Sequence, residues 1–285
     1  MRASANDRLR RCYTGRSSTA ANRAMFQIAY IESRGNGPLG DEETRVVGEL
    51  QRRGVAMKFF TRKQIDRRSL PLDERSFVMG AMPAMLGAIK QLGIEVPPPN
   101  DYPRVLRDLL RREVWQSTLG EIEQHIWDDR QQPVFVKPAE RIKTFTGRVF
   151  ESNADLYFLG SASRRQKVWC SQVVKWRSEF RAYVIGTQVV ALDPHDGDAQ
   201  FVPCARTIAE AVRAFRDSGE APAAYAIDFG VLADGRTALI EVNDGYALGA
   251  YRIAAAPYTE LLLARWAELL AGRRVPAGET ALPAG

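Results

Sequence analysis

Cysteine is scarce in this sequence of 285 residues: Cys12, Cys170 and Cys204 are all there are. They are odd in number and far apart, with no CxxC or CxxxC pair, so neither a disulfide framework nor a zinc site is expected. Reduced thiols of this kind fit the cytoplasm. Histidine is scarcer still, with two. His125 falls beside Trp127 on a helical segment and reads as surface or packing. His195 falls in "LDPHDGDAQF", which reads as a solvated turn. Neither is expected to catalyse. No apolar run approaches the length that crosses a bilayer. The opening "MRASANDRLRRCYTGRSSTAANR" lacks the apolar core of a secretory signal and reads as a basic flexible tail over 1–24. There is no GxxxxGK(S/T) loop and no GxGxxG turn, which excludes a P-loop and a dinucleotide fingerprint.

What is present is a folded chain. Hydrophobic residues make up 45% and charged residues 26%, enough to bury a sizeable core. The net charge is +6 and the pI about 9.3, which raises nucleic-acid binding as a function class. The arginines argue against it. Most sit among acids on helix-like segments such as "DEETRVVGELQRRG", a solvated face, and no recognition helix with interleaved aromatics is visible. Some of the positive charge is free to serve a polyphosphate.

The pattern along the chain predicts a small parallel α/β layer over 25–96. "MFQIAYIE" and "VAMKFF" read as strands around the helix "DEETRVVGELQRRG". "SFVMGAMPAMLGAIKQLGIEV" reads as strand, glycine turn, short helix and a last strand-like piece. "PPPN" (97–100) reads as a linker. "YPRVLRDLLRREVWQSTLGEIEQHI" reads as helix, broken near Gly120, because Val105, Leu109, Val114, Leu119 and Ile122 fall at helical spacing. Short β-rich segments follow from Pro133, interrupted by the helix "ARTIAEAVRAFRDSG" and closed by the helix "YTELLLARWAELLAG". Residues 273–285 read as a loose tail.

Three groups of residues carry chemistry. In "AAYAIDFGVLADGRTALIEVNDGYALGAY", two strands meet at Asp234-Gly235. Asp228 ends one and Glu241 the next, so both are expected near the same open end. Asn243 is two residues on from Glu241 and shares its face. Singly, Asp228 and Asn243 read as turn caps; together the three oxygen donors suit Mg²⁺, which takes one or two carboxylates completed by water and phosphate. In "VFVKPAERIKTFTGRVF", Lys137 ends an apolar strand and needs a partner. The following loop offers Lys143, Thr146 and the Gly147 backbone to cover a phosphate chain, or is an ordinary hairpin. In "CSQVVKWRSEFRAYVIG", the crossover Gln172, Val173, Val174 and Lys175 offers backbone to an adenine edge. Glu179 is placed for ribose hydroxyls, and Arg181, on the same face, for developing phosphate charge. The bland alternative is a surface Glu–Arg pair.

The order of these parts resembles the ATP-grasp superfamily of ATP-dependent carboxylate–amine ligases, over roughly Arg104 to Gly272. Its pattern is a strand-end lysine, a flexible loop, an adenine hinge, an acid to ribose, then D…E-x-N. The match runs from Lys137 through Lys143–Gly147, the hinge near 172–178 and Glu179 to Asp228, Glu241 and Asn243. The earlier family lysine is missing from "LRDLLRREVWQSTLGEI", which offers only Arg107, Arg111 and Arg112. The pattern R-x-x-W-x-x-T-L led by Arg112, with "KTFTG" and "EVNDGYALG", is similar to the arginine-for-lysine (R-to-K) branch.

The resemblance implies a fold of the α/β (α+β) class. A small N-terminal parallel α/β domain would be followed, over 97–272, by two α+β subdomains clasping ATP. It implies ATP as substrate with two Mg²⁺ ions, and formation of an acyl phosphate that an amine displaces. Lys137 and Arg112 would neutralise phosphate charge, while Lys143, Thr146 and Gly147 close over it. Arg181 would steady the acyl phosphate. The partners would be small-molecule or peptide carboxylates and amines, with neither nucleic acid nor membrane, in a cytoplasmic protein whose oligomeric state is left open, a homodimer included. A kinase-like phosphotransferase on the same scaffold, and a silent nucleic-acid-binding module using the basic tail, are the alternatives.

Overall fold

A computed structural model describes residues 26–33, 35, 38–127, 132–140 and 144–273. The basic tail over 1–24, Lys143 of the covering loop and the tail beyond Arg273 lie outside the described residues.

The first layer is the parallel sheet expected from the sequence, in the order β2-β1-β3: β1 (Ile28–Glu32), β2 (Ala56–Phe60) and β3 (Ser76–Met79). Helix α1 (Asp41–Arg52) starts with Asp41, Glu42 and Glu43 and ends with Arg52, charges that complement its dipole, and it buries Val46 and Leu50. Helices α2 (Arg62–Asp66) and α3 (Met82–Gln91) complete the layer. The strand-like piece after α3 does not pair. Ile94 is instead buried as a plug in the core, and the prolines that follow have no N–H for a ladder.

The expected helix over 102–126 is a different structure. Arg104–Leu109 form a 3₁₀ turn, β4 (Val114–Thr118) is a strand, and only α4 (Leu119–Trp127) is helical. The helical spacing misled because Val105 is 45% exposed and faces no core. Arg111 then takes a positive φ of 54°, which ends the turn. Val114, Trp115 and Thr118 favour an extended chain, and β4 pairs antiparallel with the strand over Lys167–Gln172.

The second sheet is antiparallel, in the order β4-β7-β5-β6, with β5 (Val134–Pro138), β6 (Arg148–Phe150) and β7 (Lys167–Gln172). The third, also antiparallel, runs β11-β10-β8-β9, with β8 (Trp176–Ile185), β9 (Gln188–Gly197), β10 (Ala224–Leu232) and β11 (Thr237–Asp244). The β10–β11 hairpin turns at Asp234-Gly235, where Gly235 has a φ of +85° that favours glycine. His195 is therefore in strand β9 and not in a turn.

Alternation sorts the third sheet. Phe180, Ala182, Ile227, Phe229 and Leu239 face helix α5 (Ala205–Asp217), whose Ile208, Val212 and Phe215 fill that side. On the other side Tyr183, Ala224 and Ala226 join one core with the parallel layer and the closing helix α6 (Ala255–Ala271), where Trp266 Nε1 donates to the Ser76 carbonyl at 2.7 Å. The rest of that face looks toward the second sheet and carries the polar residues. A parallel α/β layer followed by two antiparallel sheets is the arrangement that the resemblance implied. Among the described residues, no helix is long and apolar enough to cross a membrane.

Candidate functional site

The site is assembled on the middle strands of the third sheet. Neither Asp228 nor Glu241 ends its strand, as the sequence suggested: Asp228 sits mid-way along β10 and Glu241 inside β11, with Arg181 of β8 opposite Asp228 on one side and Glu241 opposite it on the other. A β-bulge creates the arrangement. Asp228 pairs with Glu241 but the next residue, Phe229, pairs with Leu239, so Ile240 is extra. The bulge turns Glu241 toward the open face while Leu239 stays in the core. Asn243, two residues on, shares the face of Glu241.

Bulges leave carbonyls unpaired, and here Arg112 takes them. Its Nη1 donates to the Leu239 carbonyl at 2.7 Å and to Leu110 at 3.1 Å, and its Nη2 donates to Ile240 at 3.1 Å. Burial pulls the Arg112 guanidinium below its ordinary range, and Tyr102, Glu179 and Glu241 act against that pull. Arg112 therefore holds the bulge in shape and adds positive charge to the wall.

The acids are tied to cations. Arg181 makes a bidentate pair with Asp228, Nε to Oδ1 at 2.7 Å and Nη2 to Oδ2 at 2.7 Å, with side chains only 9% and 11% exposed. Burial pushes the Asp228 carboxyl up against the pull of Arg181. Asn243 Nδ2 donates to Asp228 Oδ2 at 3.0 Å and to Glu241 Oε1 at 3.1 Å. Lys137, on β5 of the facing sheet, bonds Glu241 and Asp101, the latter at 2.7 Å. Burial opposes the Lys137 charge, yet Glu241, Tyr102 and Asp101 hold its pKa above the ordinary value. The partner that an apolar strand end required is thus present twice.

These residues line one cavity of about 1450 Å³ that includes the space between the two antiparallel sheets and extends past the linker to α6. Lys137, Thr146 and Gly147 come from the second sheet and its loop; Gln172, Val173 and Val174 form the crossover between the sheets; Glu179, Arg181, Asp228, Glu241 and Asn243 come from the third. Lys175, on the same crossover, is not among the lining residues. Glu179 is raised to about 7 by burial, then by Asp196, Asp228 and Glu241, with Arg112 drawing it back.

One lining residue that was not singled out from the sequence is Trp176. Trp176, the first residue of β8, lies over Gly230, where an added Cβ would come within 2.3 Å of the indole, and its ring is 5.3 Å from Arg112 Cζ. An aromatic beside the crossover was the one signal available for it. His195, set aside as a turn residue, lines the cleft and stacks on Tyr251 with ring centroids 4.3 Å apart. The other neighbour of the Tyr251 ring is Arg181, whose Cζ is 4.7 Å from its centroid. His125 is away from the cleft, on α4, where its Nε2 lies 3.3 Å from the Gln132 carbonyl.

The segment carrying Tyr251 is fastened from several sides. Tyr183 Oη donates to the Gly249 carbonyl at 3.2 Å and accepts from Tyr251 N at 3.0 Å. Glu42 of α1 accepts from Ala250 N at 2.9 Å. Arg45 of α1 donates to the Tyr251 and Ile253 carbonyls at 3.0 and 2.8 Å. Asp193 accepts from Arg252 N at 2.8 Å.

The donor set fits a hard divalent cation. Among the described residues, no three His, Cys, Asp or Glu side chains cluster as a metal site. Mg²⁺ needs only one or two carboxylates when phosphates complete its shell. Asp228 and Glu241 supply two on one face, and turning the Asn243 amide over presents an oxygen between them.

No curated protein matches the chain in sequence. Among solved structures, the chain is similar to D-alanine–D-alanine ligase from Bacillus anthracis at 12% identity and a TM-score of 0.50, covering 87% of this chain and 98% of that one. It is similar to a RimK domain ATP-grasp protein from Sphaerobacter thermophilus at 12% identity and a TM-score of 0.49, covering 86% and 99%. The macrocyclase MdnC, bound with precursor peptide MdnA from Microcystis aeruginosa MRC, is similar at 12% identity and a TM-score of 0.49, covering 82% and 98%. The likeness to the D-alanine–D-alanine ligase is one of fold. The family model "ATP-grasp domain, R2K clade family 2" matches residues 109–261, more than half of the chain, and the chain belongs to that family.

Proposed function

We propose that the protein is an ATP- and Mg²⁺-dependent ligase that joins a carboxylate, borne by an amino acid or peptide, to an amine through an acyl phosphate. The reading divides the chain into a small domain over 25–96 and an ATP-grasp domain over 97–272 with its hinge near 172–178. One observation carries it: the bulge in β11 sets Glu241 beside Asp228 and Asn243, directly under Lys137 of the opposing sheet. That is an oxygen-donor floor with a cation above it, the charge order a metal-bound triphosphate needs.

In this reading Asp228, Glu241 and Asn243 hold Mg²⁺. Bound there, the ion supplies neutralisation and alignment of the β- and γ-phosphate oxygens. Main-chain groups of Gln172 to Val174 pair with the adenine edge, and Glu179 accepts from the ribose hydroxyls. Lys137 binds phosphate directly. Arg112 contributes charge rather than a fork, since three of its hydrogen bonds go to carbonyls. Lys143, Thr146 and the Gly147 N–H cover the γ-phosphate and exclude water.

A carboxylate cannot lose oxide to an amine, so the γ-phosphoryl group is transferred first. The carboxylate oxygen attacks phosphorus and ADP leaves. The amine nitrogen then attacks the acyl carbon, sheds a proton, and phosphate departs. Arg181, with its face on Tyr251 and its edge on Asp228, neutralises the acyl phosphate and then the acyl oxygen that gains charge when the amine attacks.

The test is a trap for the acyl phosphate. The protein is incubated with ATP, Mg²⁺, hydroxylamine and a panel of amino acids and short peptides, and hydroxamate and ADP are measured. Wild type is expected to form hydroxamate with at least one acid, and Glu241→Gln to lose magnesium-dependent ADP formation while staying folded. A stable phosphorylated product with no hydroxamate from any acid would replace this reading with the kinase-like one. A folded Glu241→Gln with full turnover would remove Glu241 from the metal site.

A further inference from the structure

Two of the residues that cage the key lysine lie upstream of the segment the family model matches, which begins at 109. They are Asp101 and Tyr102, in the chain that leaves the parallel layer. The Asp101 carbonyl accepts from Val242 N at 2.9 Å, so this chain is tied to β11 one residue past Glu241. Its carboxylate meets the Lys137 ammonium at 2.7 Å, and Glu241 holds the same ammonium. The Tyr102 ring centroid lies 4.7 Å from Lys137 Nζ. Tyr102 in turn meets the ring of Trp169, on β7 of the lysine's own sheet, at 4.8 Å and 72°.

Both carboxylates that grip the ammonium are therefore referenced to one strand, β11. They have different second duties. Glu241 is the one aligned with Asp228 and Asn243, whereas Asp101 comes from the linker and bonds the lysine. An ammonium has three donors, so two carboxylates leave one free. If Glu241 turns to a divalent cation, the carboxylate that Lys137 keeps among the described residues is Asp101. A buried ammonium with no carboxylate at hand loses the contact that fixes its position.

We propose that Asp101 is a positioning residue for nucleotide binding: it keeps the Lys137 ammonium in place over the Tyr102 ring while Glu241 passes to the metal, so that the lysine meets the phosphates of a magnesium–nucleotide. The inference rests on the reading of Lys137 and Glu241 as nucleotide and metal ligands given above.

Calorimetric titration with MgATP and, separately, with adenosine tests it. The proteins are wild type, Asp101→Asn, Asp101→Glu, Lys137→Met and the double variant Asp101→Asn/Lys137→Met. Asp101→Asn is expected to weaken MgATP about tenfold, less than the loss of a fully buried partner, because the Asp101 side chain is 25% exposed. Adenosine, which has no phosphate, is expected to bind it as it binds wild type. Asp101→Glu restores part of the affinity, and Asp101→Asn adds nothing once Lys137 is Met. Unchanged or tighter MgATP binding by Asp101→Asn would overturn the proposal, the tighter result marking Asp101 as a lock that phosphate must displace. Equal weakening of adenosine, or additive effects in the double variant, would also overturn it by reducing Asp101 to a structural part. A folded wild type that does not bind MgATP refutes the nucleotide reading itself, and this inference with it.

Discussion

Asp228→Asn separates the two roles that the geometry gives Asp228, a buried ion-pair partner and a metal ligand. The Arg181–Asp228 pair is bidentate, with side chains 9% and 11% exposed. Removing one partner of such a pair leaves the other charge buried, which costs about 3–5 kcal/mol. Asparagine keeps the shape and one acceptor but turns an N–H₂ toward the guanidinium, so about 3 kcal/mol is expected. For a chain of this size that corresponds to a melting temperature lower by roughly 6–12 °C. Glu241→Gln is the control. Its side chain is 22% exposed and Lys137 retains Asp101, so about 1 kcal/mol is expected. Thermal and urea unfolding of both variants gives the order. A cycle with Arg181→Gln gives the coupling, expected at about 2–3 kcal/mol. If Asp228→Asn costs no more than Glu241→Gln, or if the cycle shows no coupling, the buried pair does not stabilise the sheet and the energetic reasoning fails.

Two further outcomes follow from the same cleft. Gly230→Ala places a methyl group on the Trp176 indole, whose nearest atom would be 2.3 Å away, and a large ring cannot yield as a flexible chain end does. A destabilisation of about 1–3 kcal/mol is expected together with a shift in tryptophan emission, and unchanged emission would show that the indole does not lie over β10. Glu179 binds its proton more tightly folded, at about 7, than at its ordinary 4.5. Its contribution to stability is therefore present below about pH 4.5 and lost as pH rises through 7. Glu179→Gln should gain about 1–2 kcal/mol over wild type at pH 8, after allowance for solvent screening, and nothing at pH 4.5. Equal gains at both pH values in urea unfolding would contradict the raised pKa.

The parts of this site that were legible in the sequence are local ones. Glu241 and Asn243 share a face because a strand has a period of two, and Lys137 at the end of an apolar strand had to find an acid. Asp228 was found by type and order, but its place in mid-strand was not, because a bulge of one residue at Ile240 leaves no mark in composition. The segment 104–118 was misread for a related reason. Apolar residues there follow a helical spacing, yet strand pairing with β7 and the backbone of Arg111 decide the outcome. Asp101 and Arg112 could not be assigned their partners, since Lys137, Leu239 and Ile240 are remote along the chain and meet them only through the fold.

The segment Gly249–Ile253 answers to two parts of the chain at once. Tyr183 and Asp193 grip it from the third sheet, while Glu42 and Arg45 grip it from α1 of the parallel layer. Excision of residues 109–261 as a free-standing module would cut away α1 and much of α6 together, and with them the shared core beneath Trp266. The wall that aligns Tyr251 with Arg181 would then be unmoored, so the small layer is a working part of the cleft, and transplanting the matched segment alone into another protein would carry over a floor without its wall.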